Sequence, residues 1–295
     1  MKKIKFFVMS LVAVMLVSCG TSNTVPITGR KQNLMVSDGE VLTLSTQQYQ
    51  EFMKTAKLST NATNTAMVKR VGQNLANAVV SYLNANGYQN DVQNYQWTFN
   101  LVADNQANAW CMPGGLIVVY EGILPITKDE ASLAIVLGHE IAHAVARHSA
   151  EQMSTKIKQQ YGVQGLGALA SVLGVGSNTI SIGQAVAAQG LNFANLKYSR
   201  DNENEADHLG LIFAAMAGYD PNVAVNFWER MSAASGNKTT AEFLSDHPSD
   251  ATRIKNIQGW LPEAQKYYKP KTTTTKKTTT KKTTTKKTTT KKTKK

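Results

Sequence analysis

The chain has 295 residues, 42% of them hydrophobic, enough to bury one large core or two smaller ones. Its net charge of +12 does not describe the folded part, because twelve lysines and no acid lie between Lys269 and Lys295, leaving 20 basic and 20 acidic residues before them. A body that is basic overall is therefore excluded.

The opening, MKKIKFFVMSLVAVMLVSCG, places Lys2, Lys3 and Lys5 before an apolar run from Phe6 to Val17, the order of parts in a secretory signal peptide. The run is shorter than the roughly 20 residues that span a bilayer, so residues 1–18 read as a removable leader. Leu16-Val17-Ser18-Cys19 resembles the bacterial lipobox. That resemblance implies cleavage before Cys19 and lipid on Cys19, hence a cell-envelope location; the outer membrane facing the periplasm is the expected site, although Gly20 after the cysteine does not settle inner against outer membrane. Cys111 is then alone, so an exported chain has no intramolecular disulfide and draws its stability from packing and from a metal. Export also argues against nucleic acid as a partner.

After a lipidated linker at residues 19–36, residues 37–268 read as the folded domain. Helices are expected over Gln47–Ala56 and Ala66–Leu83, where Met67, Val71, Leu75, Val79 and Leu83 recur at helical spacing. The period then changes. Tyr95–Val102 and Gly114–Tyr120 alternate as strands, with turn and edge positions at Asp104–Asn108 and Pro113–Gly115, so a small sheet precedes the next helix. Thr127-Lys-Asp-Glu130 has the capping-box pattern and opens an apolar helix through Leu133, Val136, Leu137 and Ile141. Gly162–Gly176 is apolar and rich in small residues, and reads as closely packed chain. Ser199–Gly218 is a further helix, with Gly210 tolerated inside it. Residues 269–295 repeat Lys and Thr with no apolar residue beyond Pro270, and are expected to be disordered and drawn to an anionic wall or lipid surface. The fold class is mainly α with a small β-sheet, an α+β arrangement.

Leu137–His143, LGHEIAH, carries His-Glu-x-x-His. On a helix, residues four apart share a face, so His139 and His143 point the same way, while Glu140, about 100° around, is placed to reach a water rather than the metal. A catalytic zinc needs a third protein ligand. His148 follows His143 by five residues without an intervening glycine, so the helix is expected to run on and turn His148 to its surface or to a supporting position. In SRDNENEADHLG, Ser199–Gly210, Glu203 and Asp207 lie four apart beside small Ala206. They suit a carboxylate ligand and a carboxylate that orients a zinc-bound histidine. Glu205 ranks second as ligand and His208 third, with Glu205 and Asn202 read as a solvated helix face.

LGHEIAHAVARHSAEQ together with YSRDNENEADHLG resembles the HtpX-like and CaaX-prenyl-endopeptidase-like zinc metalloproteases, specifically the lipid-anchored envelope members related to BepA. Further matches are Pro26–Gln32, Asn108–Gly115 and Asp246–Ile254, and the resemblance spans approximately Pro26 to Leu261. It implies a zincin-type fold, one zinc per chain held by His139, His143 and Glu203, and Glu140 as catalytic base. Asp207 matches the aspartate after the ligand, Arg200 the arginine of the Ser-Arg motif, and His247 the histidine of the His-Pro motif. His247 either stabilises an oxyanion or takes the fourth zinc position and holds the enzyme shut. Trp110-Cys111 departs from the family pattern, and Cys111 reads as a packed small residue. The implied activity is cleavage of unfolded or misassembled envelope polypeptides, with the edge around Leu116–Tyr120 pairing to substrate as a strand.

Overall fold

The computed structural model describes residues 21–161, 192–234, 247 and 251–270. The leader with Cys19, the segment Gly162–Gly176 and the Lys/Thr tail beyond residue 270 lie outside these residues.

The described chain begins with an antiparallel hairpin, β1 (Thr21–Thr24) and β2 (Lys31–Leu34). Helix α1 (Asp38–Thr55) starts well before the expected Gln47, because Ser37 and Glu40 form a full capping box: Ser37 Oγ accepts from the Glu40 amide and Glu40 Oε2 accepts from the Ser37 amide. Helix α2 (Ala62–Ala85) buries the expected stripe of Val71, Leu75, Val79 and Leu83.

A three-stranded sheet follows, made of β3 (Thr98–Val102), β4 (Ala109–Met112) and β5 (Leu116–Tyr120) in the order β3-β5-β4. β5 is parallel to β3 and antiparallel to β4. Leu116–Tyr120 is therefore the central strand, its backbone bonded on both sides, and cannot add a substrate strand; among the described residues the edge on that side is β4. Alternation divides the sheet between two apolar clusters. Phe99, Leu101, Ala109, Cys111, Ile117 and Val119 join the side of α2, whereas Trp110, Met112, Leu116 and Val118 join β2 and α1. Trp110 packs edge-on against Phe52, with ring centroids 5.0 Å apart.

Helix α3 (Glu130–Val145) is buried from Ser132 to its end, as suits a helix covered on all sides. Its cap is Asp129, whose side chain accepts from the Ser132 amide at 2.7 Å. Thr127 closes a separate turn, Leu124–Thr127, and Lys128 in the left-handed region (φ +67°) separates the two, so the expected capping box at Thr127 does not form. Nor does α3 run on to His148. It stops at Val145, Arg147 takes a left-handed φ of +53° with its guanidinium fixed by Asp38 and Asp91, and α4 (His148–Tyr161) starts afresh.

Helix α5 (Arg200–Met216) crosses α3 at a glycine pair. A Cβ on Gly210 would stand 2.7 Å from the His139 amide nitrogen, and one on Gly138 2.7 Å from the Gly210 carbonyl oxygen. Gly210 is thus required rather than merely tolerated, since any side chain there would push the helices apart. Helices α6 (Val223–Ala233) and α7 (Ala251–Ala264) complete the core, with Phe227, Trp228 and Ile257 buried.

Candidate metal centre

The glycine contact lays the first turns of α5 over the histidines of α3. His139 Nε2 lies 3.0 Å from His143 Nε2 and 3.4 Å from Glu203 Oε2, and His143 Nε2 lies 3.4 Å from Glu203 Oε1. His247 brings Nδ1 to 3.1 Å from His139 Nε2 and 3.1 Å from both Glu203 oxygens. All four residues are buried, and their donor atoms lie within 4.8 Å of one another.

These spacings and this chemistry fit zinc. Four donors about 2.0–2.1 Å from a tetrahedral centre stand about 3.3–3.4 Å apart, close to the separations here. The outward nitrogens are already engaged, His139 Nδ1 with Asp207 Oδ1 at 2.9 Å and His143 Nδ1 with His148 Nδ1 at 2.9 Å. The inward lone pairs thus face one another, an arrangement that a cation resolves. Electrostatics agree. Burial opposes the charged form of His139, yet Asp207 and Glu203 push its pKa up to about 9, so the cluster favours added positive charge. Burial likewise works against the Glu203 carboxylate, but His247, His139 and His143 hold it well below the usual range. Burial drives His143 well below the ordinary imidazole value, which keeps it a neutral ligand.

Glu140 has the geometry of a base rather than a ligand. Its Oε1 is buried without a hydrogen-bond partner and lies 3.6 Å from His247 Nε2. Burial is the main cause of a raised Glu140 pKa, which makes its carboxylate a better proton acceptor. Cys111 is packed small chain: burial raises its thiol well above the ordinary value.

Several supporting residues differ from expectation. Arg200, at the start of α5, is exposed, and among the described residues no hydrogen bond or ion pair links it to the cluster. The arginine at the site is Arg253 on α7, buried, donating to Asp207 Oδ1 and Oδ2 at 2.7 Å each and to the His247 carbonyl at 3.1 Å. Its guanidinium lies 3.5 Å from the ring centre of Trp228. Glu205 and Asn202 are buried rather than solvated; Glu205 accepts from Thr28 and Arg30 and meets His148 Nε2 at 3.0 Å. His148, fully buried, is a supporting residue and not a surface one. His208 pairs with Glu263 at 2.7 Å, outside the cluster. Tyr198 stacks on His143, ring centroids 4.1 Å apart and planes 17° from parallel. Arg253 and Tyr198 fall inside the quoted motifs, but spacing alone gives neither a role.

An α+β domain with a buried His-Glu-x-x-His helix and a glutamate from α5 defines a zincin-type metallopeptidase fold. The sequence pattern of peptidase family M48 matches residues 62–261, and the chain belongs to that family. It is 41% identical over 172 residues to the mitochondrial metalloendopeptidase OMA1 of Schizosaccharomyces pombe, covering 58% of this chain and 48% of that protein. The mitochondrial metalloendopeptidase OMA1 of Bos taurus is 30% identical over 249 residues, 82% of this chain and 46% of the relative. The β-barrel assembly-enhancing protease of Yersinia pestis is 30% identical over 167 residues, 54% and 33% of the two chains. The chain thus spans about half the length of the curated relatives it matches first. Among the described residues no helix is long and apolar enough to cross a membrane.

Proposed function

We propose that this chain is a zinc-dependent endopeptidase that cleaves misfolded or misassembled polypeptides of a cell envelope. The observation that carries the reading is the Glu140 carboxylate oxygen, buried without a hydrogen bond beside the cluster of His139, His143, Glu203 and His247. His139, His143 and Glu203 hold the metal, which when bound lowers the pKa of water and polarises a carbonyl. Glu140 takes the proton from the attacking water and passes it to the leaving amine. Asp207, fixed by Arg253, keeps the His139 proton on Nδ1 so that Nε2 faces the metal. His247 fills the fourth donor position, so substrate and water enter only when it turns aside; of its two expected roles, the geometry favours the one that holds the site shut.

The test is cleavage of an unfolded protein by the mature chain, with and without a chelator, against Glu140→Gln at matched zinc content. Cleavage should require metal and fall by at least about a hundredfold in the variant; equal cleavage by the two forms would remove Glu140 from its role.

The reading extends to place. Export with lipid on Cys19 would put the enzyme at the outer membrane facing the periplasm, and the Lys/Thr tail would hold it to an anionic wall or lipid surface. The β-barrel assembly-enhancing relative supports an envelope location, whereas the OMA1 relatives are mitochondrial proteins. Labelling with a radioactive fatty acid, with and without Cys19→Ala, checks the anchor. A second reading is a closed structural zinc in a non-catalytic envelope lipoprotein, and the four-donor geometry favours it, since structural sites are closed and catalytic ones keep a position free. In that case Glu140→Gln would leave function intact.

A further inference from the structure

The His143 nitrogen that faces away from the cluster leads into a chain of polar groups that runs from the buried His148 and Glu205 to half-buried residues of the N-terminal hairpin. His143 Nδ1 lies 2.9 Å from His148 Nδ1, and His148 Nε2 lies 3.0 Å from Glu205 Oε2. Glu205 in turn accepts from Thr28 Oγ1 at 2.6 Å and Arg30 Nε at 2.8 Å, both in the turn between β1 and β2. Arg30 extends the network by a two-pronged bond to Glu151 at 2.6 and 2.8 Å. Gln32 closes it, donating to Glu151 and to the Ala146 carbonyl at the end of α3.

The tautomers in this chain are determined. Glu205 is an acceptor only, so His148 donates to it through Nε2–H, and a neutral His148 then has a bare lone pair at Nδ1. That lone pair can be satisfied only by a proton on His143 Nδ1, which leaves His143 Nε2 unprotonated and facing His139, Glu203 and His247. Without the contact, His143 is free to carry its proton on Nε2, where it would block the metal.

We infer that His148 is a positioning residue for the metal ligand His143, held in its own tautomer by Glu205, Arg30 and Thr28, so that the N-terminal hairpin contributes to zinc affinity. The inference rests on the zinc reading above and adds a residue to it. Its physical basis is the general behaviour of histidine ligands, whose outer nitrogen needs an acceptor to fix ring and tautomer.

The experiment measures the Kd for Zn2+ by competition with a chromophoric chelator, and the visible absorption of the Co2+-loaded protein, for wild type, His148→Ala, His148→Asn and Glu205→Gln, with circular dichroism as a fold control. His148→Ala should bind zinc about ten- to a hundredfold more weakly and shift the cobalt bands. His148→Asn places a carbonyl oxygen near the lost Nδ1 and should restore most of the affinity, whereas a residue needed only for packing gains nothing from a small polar replacement. Glu205→Gln should fall between. A folded His148→Ala with unchanged Kd and cobalt spectrum overturns the inference. Should that variant not fold, Glu205→Gln decides: weakened zinc binding supports the relay and unchanged binding overturns it. Wild type that takes up neither metal would instead defeat the zinc reading itself.

Discussion

His139 and His143 stand one turn apart on α3, yet the nitrogens they turn away from the cluster meet unlike partners. Behind His139 the acceptor is a carboxylate, Asp207, neutralised by Arg253 with two 2.7 Å bonds, and both side chains are at least 96% buried. Behind His143 the acceptor is the His148 ring, and the carboxylate stands one step further out, as Glu205 shared with an Arg30 that is 35% exposed. The depth of each pair explains the difference. An ionised carboxylate enclosed in apolar core needs its counter-charge in contact, whereas one near the surface can share screening with water. The His139 side is therefore the rigid anchor, and the His143 side is the one that the N-terminal hairpin can adjust.

The sharpest way to break this contrast is to remove the two arginines separately. Arg253→Ala leaves Asp207 charged and enclosed, and urea unfolding should show a loss of about 3–5 kcal/mol. Arg30→Ala removes a guanidinium that is 35% exposed, so water can take its place beside Glu205 and Glu151, and should cost about 1 kcal/mol or less. Comparable losses from the two would mean that burial is not what separates the anchors. Gly210→Ala acts on both sides at once, because its methyl group would meet the His139 amide at 2.7 Å. The expected cost is about 1–3 kcal/mol from overpacking, with weaker zinc binding as Glu203 moves off the histidines. Unfolding and chelator competition on that single variant check both effects.

The same contrast explains what could be read from the sequence. The His139 side follows from local spacing: His139 and His143 four apart on one helix, Glu203 and Asp207 four apart on another, and a small residue between them. Helical geometry fixes such faces without knowledge of the rest of the fold. The His143 side depends on a backbone event, the left-handed Arg147 that ends α3 and returns His148 towards His143. Arg147 adopts that conformation because Asp38 and Asp91, distant in sequence, hold its guanidinium, and no local pattern announces it. The burial of Glu205 is hidden for a related reason: its partners Thr28 and Arg30 lie more than 170 residues away, so its own helix presents it as a solvated face. Strand order is hidden in the same way. Gly114–Tyr120 reads as a strand, but four-residue β4 carries too short an alternation to show that it pairs there and forms the edge among the described residues.

Acid titration tests the outer anchor on a finer scale. Burial alone would raise the Glu205 pKa, but the hydrogen bonds from His148, Arg30 and Thr28 outweigh it and bring the folded value down to about 2, from 4.5 in the unfolded chain. A depressed carboxylate pKa contributes stability that is complete above the unfolded value and is lost as pH falls through the folded one. Wild type should therefore lose this contribution progressively between about pH 4.5 and pH 2, and Glu205→Gln should lack that portion of the acid limb in a series of Tm measurements. Parallel acid limbs in the two proteins would mean that Glu205 does not hold its charge through the network.

The finest contrast separates the ring of Tyr198 from its hydroxyl. The hydroxyl meets Ser149 Oγ at 2.9 Å, next to His148, while the ring lies flat on His143. Tyr198→Phe removes only the hydrogen bond and should cost about 0.5–1.5 kcal/mol with zinc affinity almost unchanged. Tyr198→Leu removes the flat wall that limits rotation of the His143 ring, and should weaken zinc binding beyond its effect on unfolding. If the two variants bind zinc equally, the outward bond to His148 orients His143 without help from the stack. If Leu alone weakens binding, the adjustable side of the centre depends on both, with the ring plane set by Tyr198 and the tautomer by His148.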